Sequence, residues 1–131
     1  MRSRVYRPEW PDEVPAMLAE VPESLLPRGA GMAYGDAALN GGQGTLETLR
    51  LDRILALDQA AATVTCEGGV PLRDVVALAL SRGLFPAVTP GTWKSTVGGC
   101  VACDVHGKNH HLAGSFVDHV LRFRLALADG R

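Results

Sequence analysis

The residue types best suited to chemistry crowd between positions 100 and 119. Cys100-x2-Cys103-x2-His106-x3-His110, with His111 and His119 behind it, offers thiols and imidazoles at the spacing of a zinc knuckle. Two features oppose that reading. Structural zinc clusters usually carry domains too small for a core, whereas this chain has apolar segments of its own. The cysteines also stand among Val101 and Ala102, which suits small buried residues. Each histidine can equally be a hydrogen-bonded core or surface imidazole, and Lys108 a solvated side chain.

Two glycine-rich loops offer a different chemistry. The first is Arg28-Gly29-Ala30-Gly31-Met32-Ala33-Tyr34-Gly35-Asp36. Glycines allow a tight path and close approach of a ligand, and successive backbone N–H groups in such a turn form a concave nest for phosphate oxygens. It is neither a GxGxxG fingerprint opening a long helix nor a Walker loop, since no Gly-Lys-Ser/Thr follows. The second runs Pro90-Gly91-Thr92-Trp93-Lys94-Ser95-Thr96-Val97-Gly98-Gly99, with hydroxyl donors, one lysine and paired glycines. It could wrap a diphosphate or a flat ring. Taken singly, each loop also reads as a plain turn or surface connection. Ser3, Ser24 and Ser81 lie in no nucleophile-elbow context, and no carboxylate pair stands at a catalytic spacing.

Composition narrows the classes. The 131 residues are 47% hydrophobic and 21% charged, which is globular rather than disordered. Thirteen basic residues nearly balance 14 acidic ones, so nothing marks a nucleic-acid or anionic-membrane surface. No apolar run reaches the ~20 residues of a membrane span. The opening MRSRVYRPEW has no apolar signal region. With that, three cysteines read most simply as reduced thiols in a cytoplasmic protein.

The elements that must position these stretches follow from periodicity. Strands are expected at 3–7, at Leu25-Leu26, and over 45–51, 54–57 and 62–68. A short helix is expected over 12–20, with Pro15 tolerable only in its first turn. The clearest helix spans 71–82: Pro71 suits its first position, Leu72, Val75, Val76 and Ala79 share a face, and Gly83 stops it. Residues 84–88 read as extended, 90–99 as loop, and 100–111 has no clean period. Residues 119–131 alternate apolar and basic, a strand pattern closed by the hairpin signal Asp129-Gly130. Such a strand, at 120–128, would be an unpaired edge. Its partner is therefore expected from further sequence, a second polypeptide or a homodimer partner.

Taken together, RGAGMAYGDAALN, PGTWKSTVGG and CDVHGKNHHLAGSFVDHV resemble the FAD-binding domain of the vanillyl-alcohol oxidase superfamily of FAD-linked oxidases. The resemblance runs from about Arg4 to Arg131, and HGKNHH followed by GSF and HV is its most specific part. It displaces the zinc reading, so no metal is expected. The resemblance implies an α+β fold, the N-terminal part of a two-subdomain FAD-binding (PCMH-type) domain. The first subdomain would cover residues 1–57, and the second, 58–131, would be incomplete, with no cap domain. FAD would lie between them. By position, Arg28, Gly29, Ala30, Gly31, Met32, Ala33, Tyr34, Gly35 and Asp36 would wrap the diphosphate. Gly91, Thr96, Val97, Gly98 and Gly99 would line the cofactor, and Cys103, Asp104, Val105 and His106 would approach the flavin ring. Lys108 would face the substrate, and with His106 it makes up the expected catalytic pair.

Relatives usually carry Arg-Ser or His-Ser where this chain has Met32-Ala33, and a histidine there can bond flavin covalently. Met32 cannot, so FAD is expected to be non-covalent. Ala33 also lacks a hydroxyl whose bond to a charged group is typically worth ~1.5–3 kcal/mol. The implied activity is oxidation of a sugar or alcohol CH–OH group, with the chain not competent alone. Two other readings stand beside it: a non-enzymatic remnant of the fold that self-associates without FAD, and a small Cys/His zinc protein.

Overall fold

The computed structural model describes residues 2–22 and 24–131. Two sheets follow one another along the chain. The first is parallel, with β1 (Arg4–Tyr6) and β2 (Leu25–Arg28) flanking β3 (Gly44–Glu47). Parallel neighbours need a crossover, and α1 (Glu13–Glu20) lies in the connection from β1 to β2. Pro15 sits in the first turn of α1, where its lost N–H had no partner. Val21, restricted by Pro22 after it, turns extended and ends the helix. Central β3 is the strand that is covered: Gly44, Thr45 and Leu46 are buried. Pro27 lies in the edge strand β2, where a missing donor costs least.

The second sheet is the antiparallel hairpin of β4 (Ile54–Asp58) and β5 (Thr63–Cys66), irregular between Ile54 and Ala56. Its turn is fixed by Asp58 Oδ1, which accepts from the Ala61 N–H at 3.0 Å. Because β4 pairs with β5, a division of the chain at residues 57 and 58 falls inside β4. Helix α2 (Leu72–Leu80) buries Leu72, Val75 and Ala79, the stripe its 3.6-residue period dictates. Pro71 caps it in extended conformation rather than occupying its first turn. Short helices α3 (Val97–Ala102) and α4 (His110–Ala113) and a single 3-10 turn (Val117–His119) complete the elements.

The main core belongs to this second part. Val70, Leu72, Val75 and Cys100 are buried together, with Ile54, Cys66, Val76, Val97, Val105 and Phe116 packed against them. One ionic latch ties the segment before α1 to this body. Glu67, with its side chain only 7% exposed, accepts from Arg53 Nε at 3.0 Å and Nη2 at 2.8 Å, and from the Arg53 backbone N–H at 2.9 Å. The same guanidinium donates to the Glu9 carbonyl at 2.6 Å and lies 4.0 Å from the centroid of the Trp10 ring. Glu67→Ala removes the acceptor of three of these bonds. It is expected to cost about 2 kcal/mol in urea unfolding, and Glu67→Gln less.

Three expectations from the pattern are corrected. The strand read over 45–51 stops at Glu47, because Thr48 to Leu51 form a turn closed by Leu51 N–H to Thr48 O at 3.0 Å. Residues 97–102, read partly as loop, are helical despite Gly98 and Gly99. The cap on Thr96 and the close seat of Gly98 on Gly68 override their poor propensity. The strand read over 120–128 forms no ladder with any described residue, and Leu121, Phe123 and Leu125 stand exposed. The local hairpin signal still makes a turn, with Gly130 N–H on Leu127 O at 2.9 Å. A strand pattern without a neighbouring edge has nothing to pair with.

Candidate cofactor site

The first glycine loop begins where β2 ends. The Arg28 carbonyl is taken by the Thr48 N–H at 2.9 Å and its hydroxyl at 3.3 Å, which fixes where the chain leaves the sheet. Gly31 and Gly35 then take positive φ, +67° and +60°. Among the described residues, no group accepts a hydrogen bond from the backbone N–H of Gly29, Ala30, Gly31, Met32, Ala33, Tyr34, Gly35, Asp36, Ala37 or Ala38. Most of these residues are exposed, so water satisfies their donors, and a run of such donors through bends at positive φ is the kind of backbone that an anion can bind in place of water. The Arg28 guanidinium bridges the loop, donating to the Ala38 carbonyl at 3.0 Å and lying over Gly31, whose positive φ itself strains any side chain there. Met32, Ala33, Gly35 and Asp36 are exposed, and Tyr34 is 99% exposed.

The second loop is held from beneath. Thr96 is 2% exposed, and its Oγ1 accepts from the Gly99 N–H at 3.2 Å. A Cβ on Gly29 would lie 2.3 Å from that same Oγ1, so the two glycine loops touch here at the closest approach a backbone allows. The Val97 N–H donates to Val70 O at 2.8 Å and the Gly98 N–H to Gly68 O at 2.7 Å, fixing Val97 and Gly98 on the second part. The Trp93 and Ser95 carbonyls accept from Arg73 and Leu72 N–H at 3.0 and 2.8 Å, sealing the start of α2. Gly91 stands apart, with open space around it.

The third stretch continues from α3. Cys103 caps the helix and is exposed; Asp104 takes φ +41° and its Oδ1 accepts from the Val117 N–H at 3.1 Å. Val105 packs on the core and carries the chain inward, accepting from Phe116 N–H at 2.8 Å. His106, exposed, bridges to Ser115, and its ring lies 5.2 Å from that of His110, edge to face. Gly107 is buried against Thr89, where a Cβ would come within 2.7 Å of the carbonyl oxygen, and Asn109 Nδ2 donates to Ala87 O at 3.0 Å. Lys108 is exposed, and its amine makes no hydrogen bond or ion pair among the described residues. The structure thus joins Gly29 to Thr96 and sets His106 and Lys108 on one exposed turn.

The zinc set is not assembled. Cys100 is fully buried while Cys103 and His110 are exposed, and among the described residues no three His, Cys, Asp or Glu side chains are placed to hold one ion. Burial pushes the Cys100 thiol up from its ordinary range, which also disfavours the thiolate a metal takes.

Sequence reading passed over residues that hold the site. Gly68 seats Gly98, and the Gly68-Gly69 pair was a legible breaker. Asp118 organises the return of the third stretch. Its Oδ2 accepts from the Ser115 N–H at 2.8 Å and hydroxyl at 3.2 Å, and these bonds hold its carboxyl below the usual range. A depressed folded pKa stabilises above the ordinary carboxylate value, and the effect is lost as pH falls through the folded value. The Ser115 amide resonance is therefore expected to titrate below pH ~3.9, and Asp118→Asn to abolish that titration.

The family model for an FAD binding domain matches residues 3–131. The chain belongs to the FAD-linked oxidase family. It is 44% identical over 106 residues to decaprenylphosphoryl-beta-D-ribose oxidase of Mycolicibacterium smegmatis, covering 81% of this chain and 23% of that one. It is 29% identical over 136 residues to a glycolate oxidase subunit of Bacillus subtilis, covering 99% of this chain and 29% of that one. Among solved structures, alkyldihydroxyacetonephosphate synthase superposes with a TM-score of 0.74 at 18% identity, covering 89% of this chain and 23% of that chain. The chain thus spans about a quarter of the length of the relatives it matches. The cofactor of this FAD-binding domain is FAD, and the chain fits it. Ten consecutive unpaired N–H groups, beside a glycine contact that a Cβ would destroy, are donors suited to a diphosphate. Among the described residues, no helix is long and apolar enough to cross a membrane.

Proposed function

We propose that this FAD-binding domain serves a flavin-dependent oxidoreductase that oxidises a CH–OH group of a sugar or alcohol, with FAD held non-covalently. The unpaired donors from Gly29 to Ala38 carry the reading. Arg28, Gly29, Ala30, Gly31, Met32, Ala33, Tyr34, Gly35 and Asp36 wrap the diphosphate, and Gly91, Thr96, Val97, Gly98 and Gly99 line the cofactor. Cys103, Asp104, Val105 and His106 face the ring system. Bound FAD supplies hydride acceptance from the carbinol carbon. Lys108, cationic and without an internal partner, orients the substrate oxygen. The His106 imidazole takes up the hydroxyl proton at a ring nitrogen. Met32 offers no imidazole for a covalent flavin bond.

The chain alone binds FAD without turnover in this proposal, since it spans 23% of its oxidase relative and the substrate pocket needs more protein. The exposed row of Leu121, Phe123, Leu125 and Leu127, alternating with Arg122 and Arg124, supports a partner strand from further polypeptide or a second copy. Cytoplasmic residence belongs to the same proposal and rests on three free thiols. The test is an absorbance titration of the purified chain with FAD, followed by acid precipitation. Bound-flavin bands whose chromophore passes wholly into the supernatant are expected. Flavin that stays with the precipitate contradicts the non-covalent mode.

A further inference from the structure

We propose that Cys100 and Cys103 are a peroxide-responsive thiol pair that closes to a disulfide, with Cys103 as the attacked thiol and Cys100 as the resolving one. The two stand at i and i+3, Cys100 in the last turn of α3 and Cys103 at its C-cap, so they are neighbours along the helix end. Helical rise and radius put their Cα atoms about 5 Å apart, inside the ~4.4–6.8 Å window of a disulfide. The Cβ separation of an i, i+3 pair, about 5–6 Å, exceeds the ~3.5–4.5 Å of a bridge, so the last turn must tighten. That turn is already irregular. The Cys103 N–H is shared between the Gly99 and Val101 carbonyls, and Asp104 at φ +41° ends the helix immediately afterwards.

Access divides the roles. Cys103 is exposed and can meet an oxidant, whereas Cys100 is 0% exposed and can be reached only from within. Cys100 Sγ donates to Ser95 Oγ at 3.4 Å, which holds it at the side of α3 that carries the core. Burial raises the Cys100 thiol most; the Ser95 hydrogen bond opposes it by less, and the neighbouring Cys103 raises it least. It therefore resists direct oxidation, and its attack speeds up as pH rises.

The steps balance with hydrogen peroxide as oxidant. The Cys103 sulfur attacks one peroxide oxygen, the O–O bond breaks, and the second oxygen leaves as water with the thiol proton. The resulting sulfenic acid has one new S–O bond. The Cys100 sulfur then attacks the Cys103 sulfur, the S–S bond forms, the S–O bond breaks, and a second water leaves with the Cys100 proton. Two thiols lose two electrons and one peroxide gains them. The pair is that of the FAD-free chain, in which Cys103 is exposed.

The test is thiol titration and intact mass of the full chain before and after stoichiometric hydrogen peroxide, under denaturing, non-reducing conditions. The three thiols of the reduced chain are expected to fall to one, with loss of two hydrogen atoms and no dimer. Cys66→Ser, whose thiol packs on the same core, must leave that loss intact. Cys100→Ser should stop at a sulfenic acid on Cys103 that dimedone captures, and Cys103→Ser should keep both remaining thiols. Oxidation of the wild type that ends as an oxygen adduct on Cys103, as a dimer, or as a bridge abolished by Cys66→Ser overturns the pair.

Discussion

Gly69→Ala is expected to cost about 3 kcal/mol in urea unfolding, and in a marginal domain that is enough to unfold much of the population. A Cβ at this position would lie 1.9 Å from the Thr48 carbonyl oxygen, 2.6 Å from that of Leu51 and 2.9 Å from the Thr48 carbonyl carbon. All three are backbone atoms, so no side chain can swing away. The Gly69 N–H is also pinned to Leu51 O at 2.8 Å, which prevents the strand end from backing off. The contact joins the turn that leaves the first sheet to the loop that leaves the second, so relief here must part the two. Gly91→Ala, with open space around its Cβ, is the control and should fall within about 0.5 kcal/mol of wild type. Equal stability of the two variants contradicts the described joint.

The second large effect is at Gly29. Alanine there would drive its Cβ into Thr96 Oγ1, and Thr96, 2% exposed, cannot yield. We expect a loss of about 1–3 kcal/mol of stability. If the loops hold FAD as proposed, affinity should fall about tenfold or more, since 1.4 kcal/mol is one decade. Thr96→Ala alone loses the cap on Gly99 and is expected to cost about 1 kcal/mol. The double variant removes the struck atom as well, so its loss of stability should fall short of the sum of the two single losses by about 1 kcal/mol. Strict additivity would show that Gly29 and Thr96 do not touch.

Much of the fold was legible because local pattern and tertiary demand agreed. The stripe of Leu72, Val75 and Ala79, the Pro71 start and the Gly83 stop name α2 without any knowledge of its partners. The segments around Ile54 and Thr63 likewise form strands where the β-like pattern places them, and the apolar pair Leu25-Leu26 begins another. Failures came where a distant contact decided the outcome. Helix α3 forms through Gly98 and Gly99 because Gly68, thirty residues earlier, leaves room for it and Thr96 caps it. Residues 120–128 have a strand's pattern but no partner edge among the described residues, and pattern alone cannot provide one. For the site, the glycine loops and HGKNHH stood out by composition. Their support by Glu67 and Asp118 did not, because each is a common carboxylate whose importance lies in the few hydrogen bonds it accepts.

In the proposed function the free backbone donors of the first glycine loop cradle FAD. Amide hydrogen exchange of the purified chain, with and without saturating FAD, tests it directly. Gly29 to Ala38 are expected to exchange rapidly without the cofactor and to gain the largest protection with it, while β3 and α2 change little. Binding that protects other amides and leaves Gly29 to Ala38 exchanging as before would contradict it.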